Sequence, residues 1–212
     1  MRDILTTAND DMTQFVYLAS QSPRRRQLLE QLGVAYELLL PDANEDAEML
    51  EAIHGNESPA TYVKRVTGLK LDAALARQKR RGLPPAPILC SDTTVACGRS
   101  IYGKPVDAAE ARRMLGELSG KTHRVLTAVA IGTPRKIVNA LSESKVTFAP
   151  LSRAQIAAYV ASAEPMGKAG AYAVQGRAAA YLSHISGSYS GIMGLPLFET
   201  TQLLRSLGFR LL

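Results

Sequence analysis

Phe15-Val16-Tyr17-Leu18-Ala19-Ser20-Gln21-Ser22-Pro23-Arg24-Arg25-Arg26-Gln27-Leu28-Leu29-Glu30-Gln31-Leu32 changes its period in mid-run. The first five residues form an apolar run that reads as a buried strand. Leu28, Leu29 and Leu32 then recur at helical spacing. The stretch is therefore a strand–turn–helix junction. Ser22 suits the N-cap and Pro23 the first helical position. A helix start has backbone N–H groups without intrahelical partners and carries the positive end of the dipole, so it attracts anions. Two or three of the arginines Arg24, Arg25 and Arg26 add bidentate phosphate donors at the same turn. An arginine run alone is most often a solvated basic helix start. Here small hydroxyl residues, a cap and arginines coincide on one turn, which favours an anion site.

Working outward, Gly33 ends the helix and residues 34–40 read as a second strand. An acidic loop follows, Pro41-Asp42-Ala43-Asn44-Glu45-Asp46. Residues 58–81 read as one long helix started by Ser58-Pro59, with Tyr62, Val63, Val66, Leu69, Ala73 and Ala76 as its apolar stripe. Its basic end, Arg77-Gln78-Lys79-Arg80-Arg81, reads as solvated cations at a helix C-terminus. After the stiff connector Gly82-Leu83-Pro84-Pro85-Ala86-Pro87, a strand over 88–97 carries Ser91-Asp92-Thr93-Thr94. Gly103-Lys104-Pro105 is a turn, 108–118 a helix, and 123–131 and 137–148 a pair of strands. A helix over 153–163 leads to a strand or turn region over 167–176 and a short strand at 179–186. Residues 187–191 read as a flexible loop before a last helix at 197–207. Helices and strands alternate without a strict βαβ rhythm, so the expected fold is α/β with a mixed sheet.

A chain of 212 residues with 46% hydrophobic content suits one large domain, with residues 1–14 as a loose extension and 15–212 as the folded unit. Net charge is +6, with an isoelectric point near 9.4, which suits a polyanionic partner. Two cysteines without metal spacing make no disulfide scaffold and point to a reducing cytoplasm. Cys90 reads as a small core residue. No stretch is long and apolar enough to read as a membrane span. Aromatics are only 6% of residues, and neither a stacking platform nor a recognition helix is visible, so specific nucleic-acid binding is not expected.

Asp92 is the leading acid. A carboxylate at the end of a buried run, among hydroxyls, can hold a divalent cation or polarise a water; the plainer alternative is a turn aspartate. Glu45 and Asp46 are the other acidic candidates. Lys70, Lys104 and Lys168 are cations that could converge on a phosphate chain, and Lys104 sits in a stiff Gly-Lys-Pro turn. The Gln175 amide could read a nucleobase edge. His54, His123 and His184 have no ligand spacing and are read as ordinary residues. Gly120-Lys121-Thr122 is no phosphate loop: Leu115 stands at the first glycine position, and the segment follows a helix instead of preceding one.

Taken in order, these segments resemble a known family. Ser20-Gln21-Ser22-Pro23-Arg24-Arg25, Ser91-Asp92-Thr93, Gly103-Lys104-Pro105, Ser119-Gly120-Lys121-Thr122-His123, Gly167-Lys168-Ala169-Gly170-Ala171-Tyr172 with Gln175-Gly176, and Gly187-Ser188-Tyr189 with Gly194-Leu195-Pro196-Leu197 closely resemble the Maf family of nucleoside triphosphate pyrophosphatases. The resemblance runs from about Val16 to about Phe209. It implies an elongated mixed sheet in two lobes around a cleft, similar to the inosine-triphosphate pyrophosphatases. It also implies hydrolysis of a nucleoside triphosphate to monophosphate and pyrophosphate with a divalent cation, Mg²⁺ or Mn²⁺. By the same resemblance Asp92 is the general base, and Ser20, Arg25, Lys70 and Lys104 bind phosphate. Glu45 with Asp92 holds the metal. Arg24, Thr93 and Gln175 match the branch that acts on dTTP and UTP, in contrast to the 7-methyl-GTP branch. The implied assembly is a homodimer. Ser91 departs from the family's usual alanine, and residues 1–14 exceed its usual start. Two rivals remain at this level: a non-catalytic nucleotide or nucleic-acid binding protein linked to cell division, and the same chemistry on another base.

Overall fold

The structure is a computed structural model that describes residues 14–42, 45 and 49–211. Residues 1–13 of the expected extension lie outside this range, as do Ala43, Asn44 and Asp46 of the acidic loop. Gln14 pairs with the far end of the chain: its Nε2 donates to Gly208 O at 3.1 Å, and its Oε1 accepts from Arg210 N at 3.2 Å.

The strands are β1 (Phe15–Leu18), β2 (Ala35–Leu38), β3 (Ile88–Cys97), β4 (Ser100–Tyr102), β5 (Thr122–Thr133), β6 (Lys136–Phe148) and β7 (Leu182–Ser186). They form one sheet in the order β2-β1-β3-β5-β6-β7, with β4 also on β3. β1 runs parallel to β2 and β3, and the other pairings are antiparallel, so the sheet is mixed, as expected. The helices are α1 (Pro23–Gln31), α2 (Pro59–Arg80), α3 (Ala108–Leu118), α4 (Arg153–Ala161), α5 (Tyr189–Met193) and α6 (Leu197–Ser206).

α2 packs on β3 and β5, burying Tyr62, Val63, Val66, Leu71 and Ala74 with Ile88, Cys90 and Ala96 of β3. The main core joins Leu89 and Val95 of β3 to residues of α1, α3, α4, α5 and α6. Successive β3 side chains thus serve opposite faces, as a strand requires.

The edge of β3 positions the site. β1 pairs with it only at Ile88 and Leu89, and β4 only at Val95, Ala96 and Cys97. Between them Ser91–Asp92–Thr93–Thr94 has β5 as its one sheet neighbour among the described residues. The gap opens beside the β1–α1 turn.

Four local expectations are corrected. Ser22 precedes α1 in extended conformation but makes no side-chain cap bond; Ser20 Oγ accepts from Ser22 N at 3.2 Å instead. In α2 the buried stripe runs through Leu71 and Ala74, while Leu69 and Ala76 are exposed. Arg77 is not a solvated cation: it is 4% exposed and bonded to Leu39 O at 2.9 Å. The expected loop at 187–191 contains the start of α5, capped by Ser188, whose Oγ accepts from Gly191 N at 2.9 Å.

Candidate active site

Segments from along most of the described chain line a cleft of about 810 Å³ at the gap in β3, a size suited to a nucleotide. The β1–α1 turn brings Ser20, Arg24 and Arg25. Arg25 is fixed from several sides: Nε donates to Gly194 O at 2.8 Å, Nη1 to Ser20 Oγ at 3.2 Å, and Nη2 lies 3.5 Å from Thr93 Oγ1. Arg24 Nε donates to Met193 O at 3.2 Å. The α5–α6 connection therefore aims both guanidinium groups. Burial lowers the pKa of each; for Arg25 the charge of Asp92 works against that and Arg24 adds to it.

β3 supplies Ser91, Asp92 and Thr93. Alternation sends Asp92 toward α2 and Ser91 and Thr93 the other way. Ser91 Oγ lies 2.8 Å from Ala128 O and 2.9 Å from Gly194 O, so the same carbonyl that receives Arg25 also meets this hydroxyl. Thr93 Oγ1 is 3.0 Å from Thr127 Oγ1, which in turn bonds Gly191 O at 2.7 Å. On the α2 side, Lys70 Nζ donates to Asp92 Oδ1 at 2.5 Å and to Glu51 Oε1 at 2.7 Å. Lys104 Nζ donates to Glu51 Oε2 at 3.1 Å. Asp92, Lys70, Glu51 and Lys104 thus form one alternating chain of charges. Burial would raise the Glu51 carboxyl, but Lys70 and Lys104 outweigh it and hold it below its ordinary range.

Gly170 closes the remaining wall. Its N donates to Gly103 O at 3.0 Å, joining this segment to the Lys104 turn. A Cβ there would sit 2.9 Å from Val95 side-chain atoms at φ +69°, so only glycine lets the backbone come this close. Lys168 and Gln175 follow from this placement, both on the cleft wall. Burial lowers the Lys168 pKa, and Arg24 adds to the effect.

The structure thus gathers Ser20, Arg24, Arg25, Lys70, Asp92, Thr93, Lys104 and Gln175 on one cavity. Glu45 lines it too, but as part of an arginine cluster: its carboxylate pairs with Arg77 and Arg80, and the Arg77 hydrogen bond leads in lowering it to about 2. Among the described acidic residues, Glu51 is the one that shares a cation with Asp92. No motif marks it: Met49-Leu50-Glu51 is a short 3₁₀ turn without a recognisable pattern around it. That turn is held on α2 by Tyr62 Oη, which donates to Glu51 O at 2.9 Å. Lys70, Ala73 and Arg77 line the cleft at i, i+3 and i+7, one face of α2. Among the described residues no group of three or more His, Cys, Asp or Glu is placed to hold a metal ion, and no helix is long and apolar enough to cross a membrane.

The family model described as "Maf-like protein" matches residues 15–207. A dTTP/UTP pyrophosphatase of Albidiferax ferrireducens is 72% identical over 199 residues, covering 94% of this chain and 100% of the relative. One of Polaromonas sp. is 72% identical over 93% of this chain and 98% of its own. One of Cupriavidus metallidurans is 64% identical over the same shares. Among solved structures, the Ham1 protein of Staphylococcus aureus aligns with 92% of this chain and 97% of its own at 10% identity and a TM-score of 0.41, a likeness too slight to bear on the fold.

Proposed function

The chain belongs to the Maf family, and on that premise we propose that it hydrolyses dTTP and UTP to the monophosphate and pyrophosphate. The observation that carries the reading is the meeting of Asp92 and Lys70 at 2.5 Å, in the same cleft as Arg24, Arg25, Lys104 and Gln175. The relatives described as dTTP/UTP pyrophosphatases support the choice of substrate.

A triphosphate carries several negative charges that must be met before water can attack. In this reading Ser20, Arg24 and Arg25 receive the phosphate chain from one side, and Lys70 and Lys104 from the other. These cations are already anchored by carbonyls, hydroxyls and carboxylates, so little reorganisation is needed as charge shifts toward the leaving group. Asp92 Oδ accepts the proton of the water that attacks the α-phosphorus, and the bond to the pyrophosphate breaks. Lys70 holds the carboxylate in place for that transfer. Gln175 offers one amide donor and one acceptor, a match for the O4 carbonyl and N3–H that thymine and uracil share.

The donor set also fits a divalent cation. Asp92 and Glu51 present hard carboxylate oxygens around one ammonium. Mg²⁺ is commonly held by one or two carboxylates together with substrate phosphates. Asp92 would hold Mg²⁺ or Mn²⁺ with Glu51, or with Glu45, a loop residue that lies against Arg77 of α2. When bound, the ion neutralises charge on the pyrophosphate leaving group.

The test is pyrophosphate release from dTTP, UTP, CTP, 7-methyl-GTP and ITP with Mg²⁺ or Mn²⁺, for wild type and Asp92→Asn. Hydrolysis of dTTP and UTP, reduced about 10²- to 10⁴-fold in the variant, is expected. Absence of turnover on every nucleotide would overturn the enzyme reading, and preference for 7-methyl-GTP the base assignment.

A further inference from the structure

We infer that Tyr159 and Glu164, which do not line the cleft, are positioning residues for base recognition, holding from behind the turn that presents Gln175. This rests on the reading of Gln175 as the base-facing amide.

Ala173–Val174–Gln175–Gly176 is a four-residue turn closed by Gly176 N donating to Ala173 O at 3.0 Å. Gln175 is its third residue, exposed on the cleft wall. The amides on either side of the turn end on one side-chain pair. Ala173 N donates to Tyr159 Oη at 3.3 Å, and Arg177 N donates to Glu164 Oε2 at 3.1 Å. Tyr159 Oη completes the link by donating to Glu164 Oε1 at 2.9 Å. Tyr159 is 4% exposed at the end of α4. Burial, then the bond to Glu164, pushes its hydroxyl pKa up, so it stays a proton donor.

Contact between Glu164 and the turn is close. A Cβ at Gly176 would fall 2.2 Å from Glu164 Oε1. The carboxylate therefore occupies space that any other residue at 176 would need, and the absence of a side chain there is what admits the clamp. A hydrogen-bonded carboxylate–phenol pair can hold two backbone amides in register; without it the turn keeps, among the described residues, its own closing bond and that from Ala179 N to Gly176 O at 3.1 Å. Its slack would reach Gln175 directly and the phosphate end of the cleft hardly at all, because Arg25, Lys70 and Lys104 are fixed by other partners.

The experiment compares wild type with Tyr159→Phe, Glu164→Gln and Gln175→Ala. It reads kcat/KM for dTTP and CTP and inhibition by pyrophosphate, which carries no base. Tyr159→Phe removes one oxygen and Glu164→Gln keeps the volume, so both variants should fold. Each is expected to narrow the dTTP-to-CTP ratio about fivefold, with pyrophosphate inhibition unchanged within about twofold. An unchanged ratio in both, where Gln175→Ala narrows it, overturns the inference and leaves the Gln175 reading intact. So does pyrophosphate inhibition that weakens in step, the mark of a merely structural role. If Tyr159→Phe and Glu164→Gln narrow the ratio and Gln175→Ala does not, the positioning role stands and another residue of the turn reads the base. If wild type does not prefer dTTP, or none of the three variants changes the ratio, both readings fall.

Discussion

Lys70 is the residue on which the acidic side of the cleft depends. Its ammonium stands between Asp92 and Glu51, at 2.5 and 2.7 Å. Removing it takes away the cation the two carboxylates share and, among the described residues, leaves Lys104 on Glu51 as their remaining ion pair. Lys70→Gln should therefore lower kcat/KM for dTTP by about 10²-fold or more, the scale of losing a preplaced charge at a reacting centre. Steady-state kinetics on the purified variant check this, and a loss below about threefold would mean that Lys104 suffices. Arg24, Arg25, Asp92 and Lys104 could be named before folding because a capped helix start, a carboxylate among hydroxyls in an apolar run and a Gly-Lys-Pro turn are local signals. Glu51 and Arg77 could not. A carboxylate in an isolated 3₁₀ turn and an arginine near a helix end look like surface residues until the chain closes over them.

At the scale of elements, β3 and the 167–175 segment make the site together. β3 gives Asp92 to one face and Thr93 to the other because strand side chains alternate. The gap between β1 and β4 lets groups from both faces reach one cavity. The 167–175 segment approaches that gap only because Gly170 lies against Val95 with φ +69°. Gly170→Ala should destabilise the fold by about 1–3 kcal/mol through the clash and the left-handed backbone, seen as a lowered urea midpoint. Val95→Ala in the same background should recover part of this by removing the Val95 γ carbons the new Cβ would meet. No recovery, relative to Val95→Ala alone, would assign the cost to the backbone angle and to the Val95 Cβ, which also lies 2.9 Å away and which alanine keeps.

For the whole molecule, His123 ties stability to pH. It is buried at the start of β5, stacked on Phe148 with centroids 5.7 Å apart, and its Nε2 is 2.8 Å from Tyr172 Oη. Its Nδ1 has no hydrogen-bond partner among the described residues. Burial lowers its pKa to about 4, from 6.5. The neutral ring is thus the folded form, and the unfolded chain takes up the proton first. Stability should be fully present above pH ~6.5 and decline as pH falls toward ~4, by on the order of 2–3 kcal/mol for this group. Urea unfolding across that range should show a steeper acid loss for wild type than for His123→Gln. Equal slopes would mean that His123 does not set the acid sensitivity in this range; Glu45, which Arg77 holds near 2, would act only at lower pH, below its ordinary 4.5.

Local chemistry was enough to read the strand–turn–helix at residues 15–32, the mixed α/β class, the core role of Cys90 and the cationic residue types that the cleft gathers. These follow from period, capping and turn chemistry, which act over a few neighbouring residues. Tertiary structure alone decided that Ser22 makes no side-chain cap, that Leu71 and Ala74 face the sheet, that Arg77 is buried on Leu39 and Glu45, and that Glu51 meets Lys70 and Lys104. It also decided that Tyr159 and Glu164 stand behind Gln175. Each of those contacts joins residues set by the packing of separate elements, and pairings made by packing leave no period in the chain.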